Sequence, residues 1–137
     1  MNIPAILRGA VLVVLLATLV LAAAWFAGIE GVTAPQMITL TALWIVPGLL
    51  TGLKARDAGT LHGLLAGLLG GLFIFAVLPF IADMTASPSF LDALVADSRP
   101  LLLIFAGWWG AFGGLVTDNR RIIQARRAVR KQQKSGD

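Results

Sequence analysis

His62 is the one imidazole in the chain, and cysteine is absent. That excludes disulfides, thiol nucleophiles, cysteine-held zinc or iron–sulfur clusters, and any metal set built from several histidines. The seven carboxylates are Glu30, Asp57, Asp83, Asp92, Asp97, Asp118 and Asp137. They are scattered between apolar stretches, with no pair at a spacing that suggests acid–base work. No phosphate-binding loop, dinucleotide fingerprint or Ser–His–Asp set is present. The expectation is therefore a protein with no catalytic residue, no cofactor and no metal. His62 falls about one turn into an apolar stretch. A hydrogen bond at an interface is its expected role, and a pH-sensing or headgroup-binding role is the sharper alternative. Asp83, at the far end of that stretch, is roughly 30 Å from it along a helix and does not pair with it. Asp57 has Lys54 and Arg56 nearby, but an exposed pair contributes little.

The spacing that carries information is that of glycine. Gly59, Gly63, Gly67 and Gly71 recur every four residues. Residues four apart share one helix face, so these four form a groove without side chains. Gly48 and Gly52 repeat the spacing, and so do Gly110 and Gly114, with Gly107 and Gly113 nearby. Small residues at this interval let helix backbones approach closely in lipid, where no hydrophobic force draws helices together. All eight are assigned to helix packing. An intrachain contact is the favoured reading; a homodimer face, or a docking face for a larger membrane complex, is the other. A short internal echo accompanies them: Trp44-x-x-x-Gly48-x-x-x-Gly52 precedes Lys54 and Arg56, and Trp109-x-x-x-Gly113-x-x-x-Thr117 precedes Arg120 and Arg121. Two related helical hairpins would produce it.

The elements that must position these residues follow from hydropathy. Only 13 % of the residues are charged, about half the proportion that covers a water-facing surface. A membrane-crossing helix needs roughly 20 apolar residues. Four stretches approach that, at about 5–29, 35–53, 60–81 and 101–117. Their apolar runs are continuous and do not alternate, which predicts helices and argues against barrel strands. The fourth is short, about 24 Å over 101–116. The predicted fold is an all-α bundle of four transmembrane helices (residues 1–117) with a basic cytoplasmic tail (118–137). Pro47 and Pro79 are expected to kink the second and third helices. Thr39 and Thr41 are expected to bond back to their own helix.

Lysine and arginine set the orientation. Arg8 comes early in the first stretch, Lys54 and Arg56 separate the second from the third, and seven basic residues follow the fourth. Four crossings place all of these on one side, with both termini in the cytoplasm of a bacterial inner membrane. Arg8, the apolar run after it and Ala22-Ala23-Ala24 also fit a cleavable leader. The run continues through Trp25 and Phe26, which favours a retained helix. On the opposite side, Ser87-Pro88 reads as a helix cap, and Phe90, Leu91, Leu94 and Val95 follow at helical spacing. That predicts a short helix on the outer membrane surface between the third and fourth crossings. In the tail, Arg120, Arg121, Arg126, Arg127 and Arg130 are candidates for anionic lipid headgroups. No aromatic residue interleaves with them, so nucleic acid is not an expected partner.

Gly52-Leu53-Lys54-Ala55-Arg56, followed by Gly59-Thr60-Leu61-His62-Gly63-Leu64-Leu65-Ala66-Gly67, resembles small four-helix bacterial membrane proteins of the YrzE-like kind. The resemblance covers about a sixth of the chain. It implies a fold and no activity, because that family is itself uncharacterised. Two transport families of similar size fit less well. Small multidrug exporters have a carboxylate within the first helix, whereas here none precedes Glu30. Fluoride channels combine pore phenylalanines with polar residues. Phe73, Phe75 and Phe80 are present, but the asparagine and the threonine–serine parts are not. The functional expectation is a non-enzymatic structural or accessory subunit that packs with itself or with a larger membrane assembly. The alternative is a small dimeric transporter or channel.

Overall fold

The computed structural model describes residues 2–27, 34–55, 57–84 and 99–134. Every element in these stretches is helical: α1 (Ile3–Phe26), α2 (Ala34–Ala42), α3 (Ile45–Lys54), α4 (Gly59–Met84) and α5 (Arg99–Lys134). Three of them contain spans long and apolar enough to cross a membrane, Ile3–Ala24, Gly59–Val77 and Pro100–Gln133; Ile38–Lys54 is a shorter apolar segment. The surface helix expected after Ser87-Pro88 lies outside the described residues.

The second apolar stretch folds as two helices with a tight turn at Leu43-Trp44, and Pro47 accounts for the break. Proline has no N–H, so the carbonyl of Leu43 loses its helical donor four residues on. That carbonyl accepts instead from Val46 N–H (3.1 Å), and Trp44 N–H donates to Thr41 (2.9 Å). Both are i→i+3 bonds, and the helix restarts at Ile45. Pro79 lies inside α4, which continues to Met84. The α5 helix runs well past Thr117. Its backbone ladder does not depend on side-chain polarity, and no glycine or proline interrupts it between Leu115 and Lys134. At 1.5 Å per residue it is about 54 Å long.

The packed pairs are α4 with α5, α3 with α5, α1 with α4, α3 with α4 and α1 with α3, while α2 leans on α5. Neighbouring positions give the directions. Gly9 meets Ala66, and Gly70 meets Val13, so α1 and α4 run parallel. Gly59 meets Gly114, Gly63 meets Gly110 and Gly67 meets Ala106, so α4 and α5 run antiparallel. Gly48 meets Gly110 and Gly52 meets Gly114, so α3 and α5 run parallel. The order is up–down–up–down, with α2 and α3 forming one bent descending segment. The two echoing stretches, Trp44–Gly52 and Trp109–Thr117, lie side by side on α3 and α5.

Val13, Ala17, Ala24, Trp44, Ile74, Leu102 and Ala106 form the buried apolar core, with Trp109 and Phe105 packed against it. Around Gly110 the contact is backbone on backbone. A methyl at Gly48 or at Gly63 would fall on the Gly110 carbonyl, and a methyl at Gly110 would fall on that of Gly63. The hydrogens that occupy those directions therefore point at carbonyl oxygens. Such Cα–H···O contacts contribute about 0.5–1 kcal/mol each. Gly67 against Ala106, Gly113 against Ile45 and Gly114 against Gly59 repeat the arrangement.

This geometry separates two glycines of one helix. Alanine is better than glycine in a helix by about 1 kcal/mol, but at position 110 its methyl meets backbone that cannot yield. Gly110→Ala should lower the apparent unfolding midpoint in mild detergent, at a cost of about 1–3 kcal/mol, and Gly67→Leu should do more harm. At Gly107 the nearest obstacle is the tip of the exposed Leu68 side chain, so Gly107→Ala should be neutral or mildly stabilising. Circular-dichroism melts of the three variants, in which Gly110→Ala and Gly107→Ala behaved alike, would contradict the close-contact account.

Candidate functional site

A group of polar side chains gathers at one end of the bundle, where α1 begins, α3 ends, α4 begins and α5 passes. The α4 helix starts at Gly59 behind Ala58, a residue with left-handed backbone (φ 46°) and no side-chain oxygen to serve as a cap. The first N–H groups of a helix need acceptors. Asp118 of α5 supplies them from 59 residues away in sequence. Its carboxylate accepts from Gly59 N–H (2.8 Å), Thr60 N–H (2.8 Å) and the Thr60 hydroxyl (2.8 Å).

One turn further along α5, Arg121 caps the neighbouring helix end. Its Nη2 donates to the Gly52 carbonyl (2.7 Å) and to that of Ala55, at the C-terminus of α3. Arg121 Nη1 lies 3.5 Å from Asp118 Oδ1. The signs suit the helix dipoles, with an anion at the start of α4 and a cation at the end of α3. Burial pushes the Asp118 pKa up, but the Thr60 N–H and hydroxyl, the Gly59 N–H and the Arg121 charge outweigh it and hold the carboxyl below its ordinary value. Asp118 lies just past the apolar part of α5, which ends at Thr117.

His62 is buried at 2 % exposure in the first turn of α4. Its Nδ1 lies 2.9 Å from the Ala58 carbonyl, and its Nε2 accepts from Asn2 N–H (2.8 Å). The geometry places the ring proton on Nδ1, so both nitrogens are engaged. Asn2 also caps α1, accepting from Ala5 N–H through Oδ1 (3.2 Å), and it donates from Nδ2 to the Lys54 carbonyl (3.3 Å). Asn2, Lys54, Ala58, His62, Asp118 and Arg121 thus join α1, α3, α4 and α5 in one hydrogen-bonded layer.

Higher in the bundle, Thr41 and Thr39 donate to the carbonyls of Ile38 (3.1 Å) and Pro35 (2.9 Å) in their own helix, as expected. Thr41 also accepts from Trp109 Nε1 (3.2 Å), which ties α2 to α5. Trp109 stacks edge-on with Phe112, ring centroids 6.2 Å apart, whereas Trp108 points outward at 66 % exposure.

The eight packing glycines lie on the mutual faces of α3, α4 and α5. Of the candidate lipid-binding arginines, Arg120, Arg126, Arg127 and Arg130 are exposed, while Arg121 folds back onto α3. Sequence reasoning had no role for Asp118, Asn2, Gly9 or Gly70. Asn2 before Ile3-Pro4 is a helix-start signature that could have been read. Gly9 meets Thr51 and Ala66, and Gly70 meets Val13, but neither belongs to a four-residue series.

The side chains of Asn2, His62, Asp118 and Arg121 each meet a helix end or a neighbouring residue in this layer. The arrangement positions helices. Together, fold and layer define an all-α bundle of apolar helices tied at one end by charge-assisted caps. No family model, curated protein or solved structure matches the chain.

Asp118→Ala should destabilise the bundle by about 1–2 kcal/mol, the scale of a lost helix cap. Asp118→Asn, which keeps an acceptor oxygen, should cost less. Because the folded-state pKa is lowered, the charged cap stabilises above the ordinary aspartate range, and that contribution is lost as pH falls through the folded value. The gap in midpoint between wild type and Asp118→Ala should therefore be full near neutral pH and close below about pH 4. A gap independent of pH would show that the charge is not the stabilising element.

Proposed function

We propose that the chain is a four-crossing inner-membrane protein, with both termini and the α3–α4 turn in the cytoplasm, and that it acts as a non-enzymatic accessory subunit. The observation that carries the reading is the end of the bundle at which Asn2, Lys54 and Arg121 meet. That end also gathers nearly every basic residue, Arg99 at the start of α5 being the exception, as the retention of lysine and arginine on the cytoplasmic side requires. The crossing number has independent support. The α1 and α4 helices are parallel, so if both cross, the segment between them must return. Residues 34–54 cover about 30 Å as helix, the thickness of the hydrocarbon layer.

The accessory role is supported by what each face does. The glycine groove is filled from within by α5. Left outward are Leu15, Leu19, Phe73, Ile104 and Trp108, all more than half exposed. These suit lipid or the apolar flank of another membrane protein. Beyond Asp118, α5 continues for about 24 Å as an exposed basic arm, a second surface on which a partner can be held.

The lack of native cysteine makes single-cysteine scanning direct. Asp92→Cys should react with a membrane-impermeant maleimide in intact spheroplasts, and Arg126→Cys only after lysis. Reversed labelling would end the topology. Trp108→Cys should cross-link to another protein or another copy under mild oxidation in native membranes, whereas Val13→Cys, in the buried core, should not. If neither cross-links, the accessory reading fails while the topology stands.

A further inference from the structure

Arg8 and Lys54, near the bundle's polar end, are basic residues whose side chains neither the glycine packing nor the capping layer engages. Arg8 stands six residues beyond Asn2, about 9 Å up α1, among Leu7, Val11 and Leu12. A cation at that depth is costly unless its head reaches back to the boundary or meets an anion. Lys54 ends α3 at that boundary, and its carbonyl is held by Asn2. Gly9 lets α1 close onto Thr51, which brings the two cations to the rim of one cleft between α1 and α3. The cleft holds about 90 Å³, several times the room one water needs.

Among the described residues, its walls carry no carboxylate. Arg8 and Lys54 supply the charge, while Ala5, Gly9, Leu12 and Leu50 supply apolar surface. Asp57, three residues past Lys54, makes no ion pair with it, and Asp118 is occupied by Arg121 and the α4 cap. Among the described residues, no carboxylate pairs with either cation, which leaves both free to meet an anion from outside the chain. On the outer side, Val11, Leu50 and Leu53 are exposed, so the cleft opens toward the surface that the proposed membrane reading gives to lipid.

We infer that this cleft binds the phosphate of an anionic glycerophospholipid between Arg8 and Lys54, with an acyl chain along Leu12 and Leu50. The site rests on the membrane reading and is separate from the arginines of the α5 arm. An anion with a greasy tail fits both halves of the cleft; free phosphate would use only its rim.

The test uses the full chain in a neutral mild detergent, supplemented with phosphatidylglycerol, phosphatidylcholine or inorganic phosphate. Bound lipid is read by native mass spectrometry. Phosphatidylglycerol should be retained in preference to phosphatidylcholine. Arg8→Gln with Lys54→Gln should weaken retention roughly thirtyfold, taking the ordinary attraction of two basic residues near a surface. Arg126→Gln with Arg127→Gln should leave it within about threefold. The charge-preserving pair Arg8→Lys with Lys54→Arg should retain lipid and shows that any loss is not misfolding. Equal loss in the arm variant, equal retention of phosphatidylcholine, or displacement by millimolar inorganic phosphate would each overturn the site. Carbonate extraction of native membranes separates the two levels. Chain that stays in the pellet while lipid retention is unaffected by the Arg8 and Lys54 changes removes the site alone. Chain released to the supernatant removes the membrane reading and the site with it.

Discussion

Gly110 is held between Gly48 and Gly63 with no side chain on any of the three, and the rest of the bundle is arranged around that contact. In hydrocarbon, apolar side chains gain nothing by leaving lipid for one another, so helices associate through packing and polar contacts. Removing side chains brings carbonyl oxygens and Cα–H groups of three helices within reach. Each contact is weak, but they repeat every four residues along α4 and α5. The glycine spacing therefore fixes both how close the helices come and their register. A slip of α4 by one residue toward Leu64, Leu68 and Leu72 would bring leucine onto backbone.

The capping layer completes what the glycines begin. Close packing along α4 and α5 brings Asp118 beside the start of α4 and Arg121 beside the end of α3. Both helix ends lack adequate caps of their own. The turn between them also contains Ala58 in a conformation that costs an ordinary L-residue about 1–2 kcal/mol. Two hydrogen bonds from His62 to the Ala58 carbonyl, through its backbone N–H and its ring, hold that carbonyl in place. Glycine groove and polar layer are thus two parts of one arrangement, the first setting distance and the second closing the exposed ends.

Much of this was legible in the residues, and the remainder was hidden for definable reasons. Continuous apolar runs and four-residue glycine spacing identify helices and the faces on which they meet. They cannot say which helices meet, because that depends on chain direction. Asp118 was obscure because a cap is ordinarily sought just before the helix it serves; here it lies 59 residues later. Ala58, directly before Gly59, has no side-chain oxygen, but Asp57 beside it is the cap a local search would choose. Pro47 predicted a disturbance, but the break falls upstream at Leu43-Trp44, where the missing donor leaves a carbonyl unpaired. Polarity marks the end of the fourth apolar crossing at Thr117 and leaves open whether the tail extends the helix; the backbone ladder does continue, to Lys134. Ser87–Val95, where a surface helix was expected, stands outside the described residues, so the structure does not bear on it.

One consequence follows from α5 being unbroken. Asp118 and Arg121 belong to the same stiff rod as Arg126, Arg127 and Arg130, and the rod extends sixteen residues past Asp118. Torque on its free end has a lever of about 36 Å against a fulcrum at Gly110, where adjacent backbones leave little room to yield. Swinging the rod draws the carboxylate from one helix and the guanidinium from another in a single motion, so the two junctions loosen together or not at all.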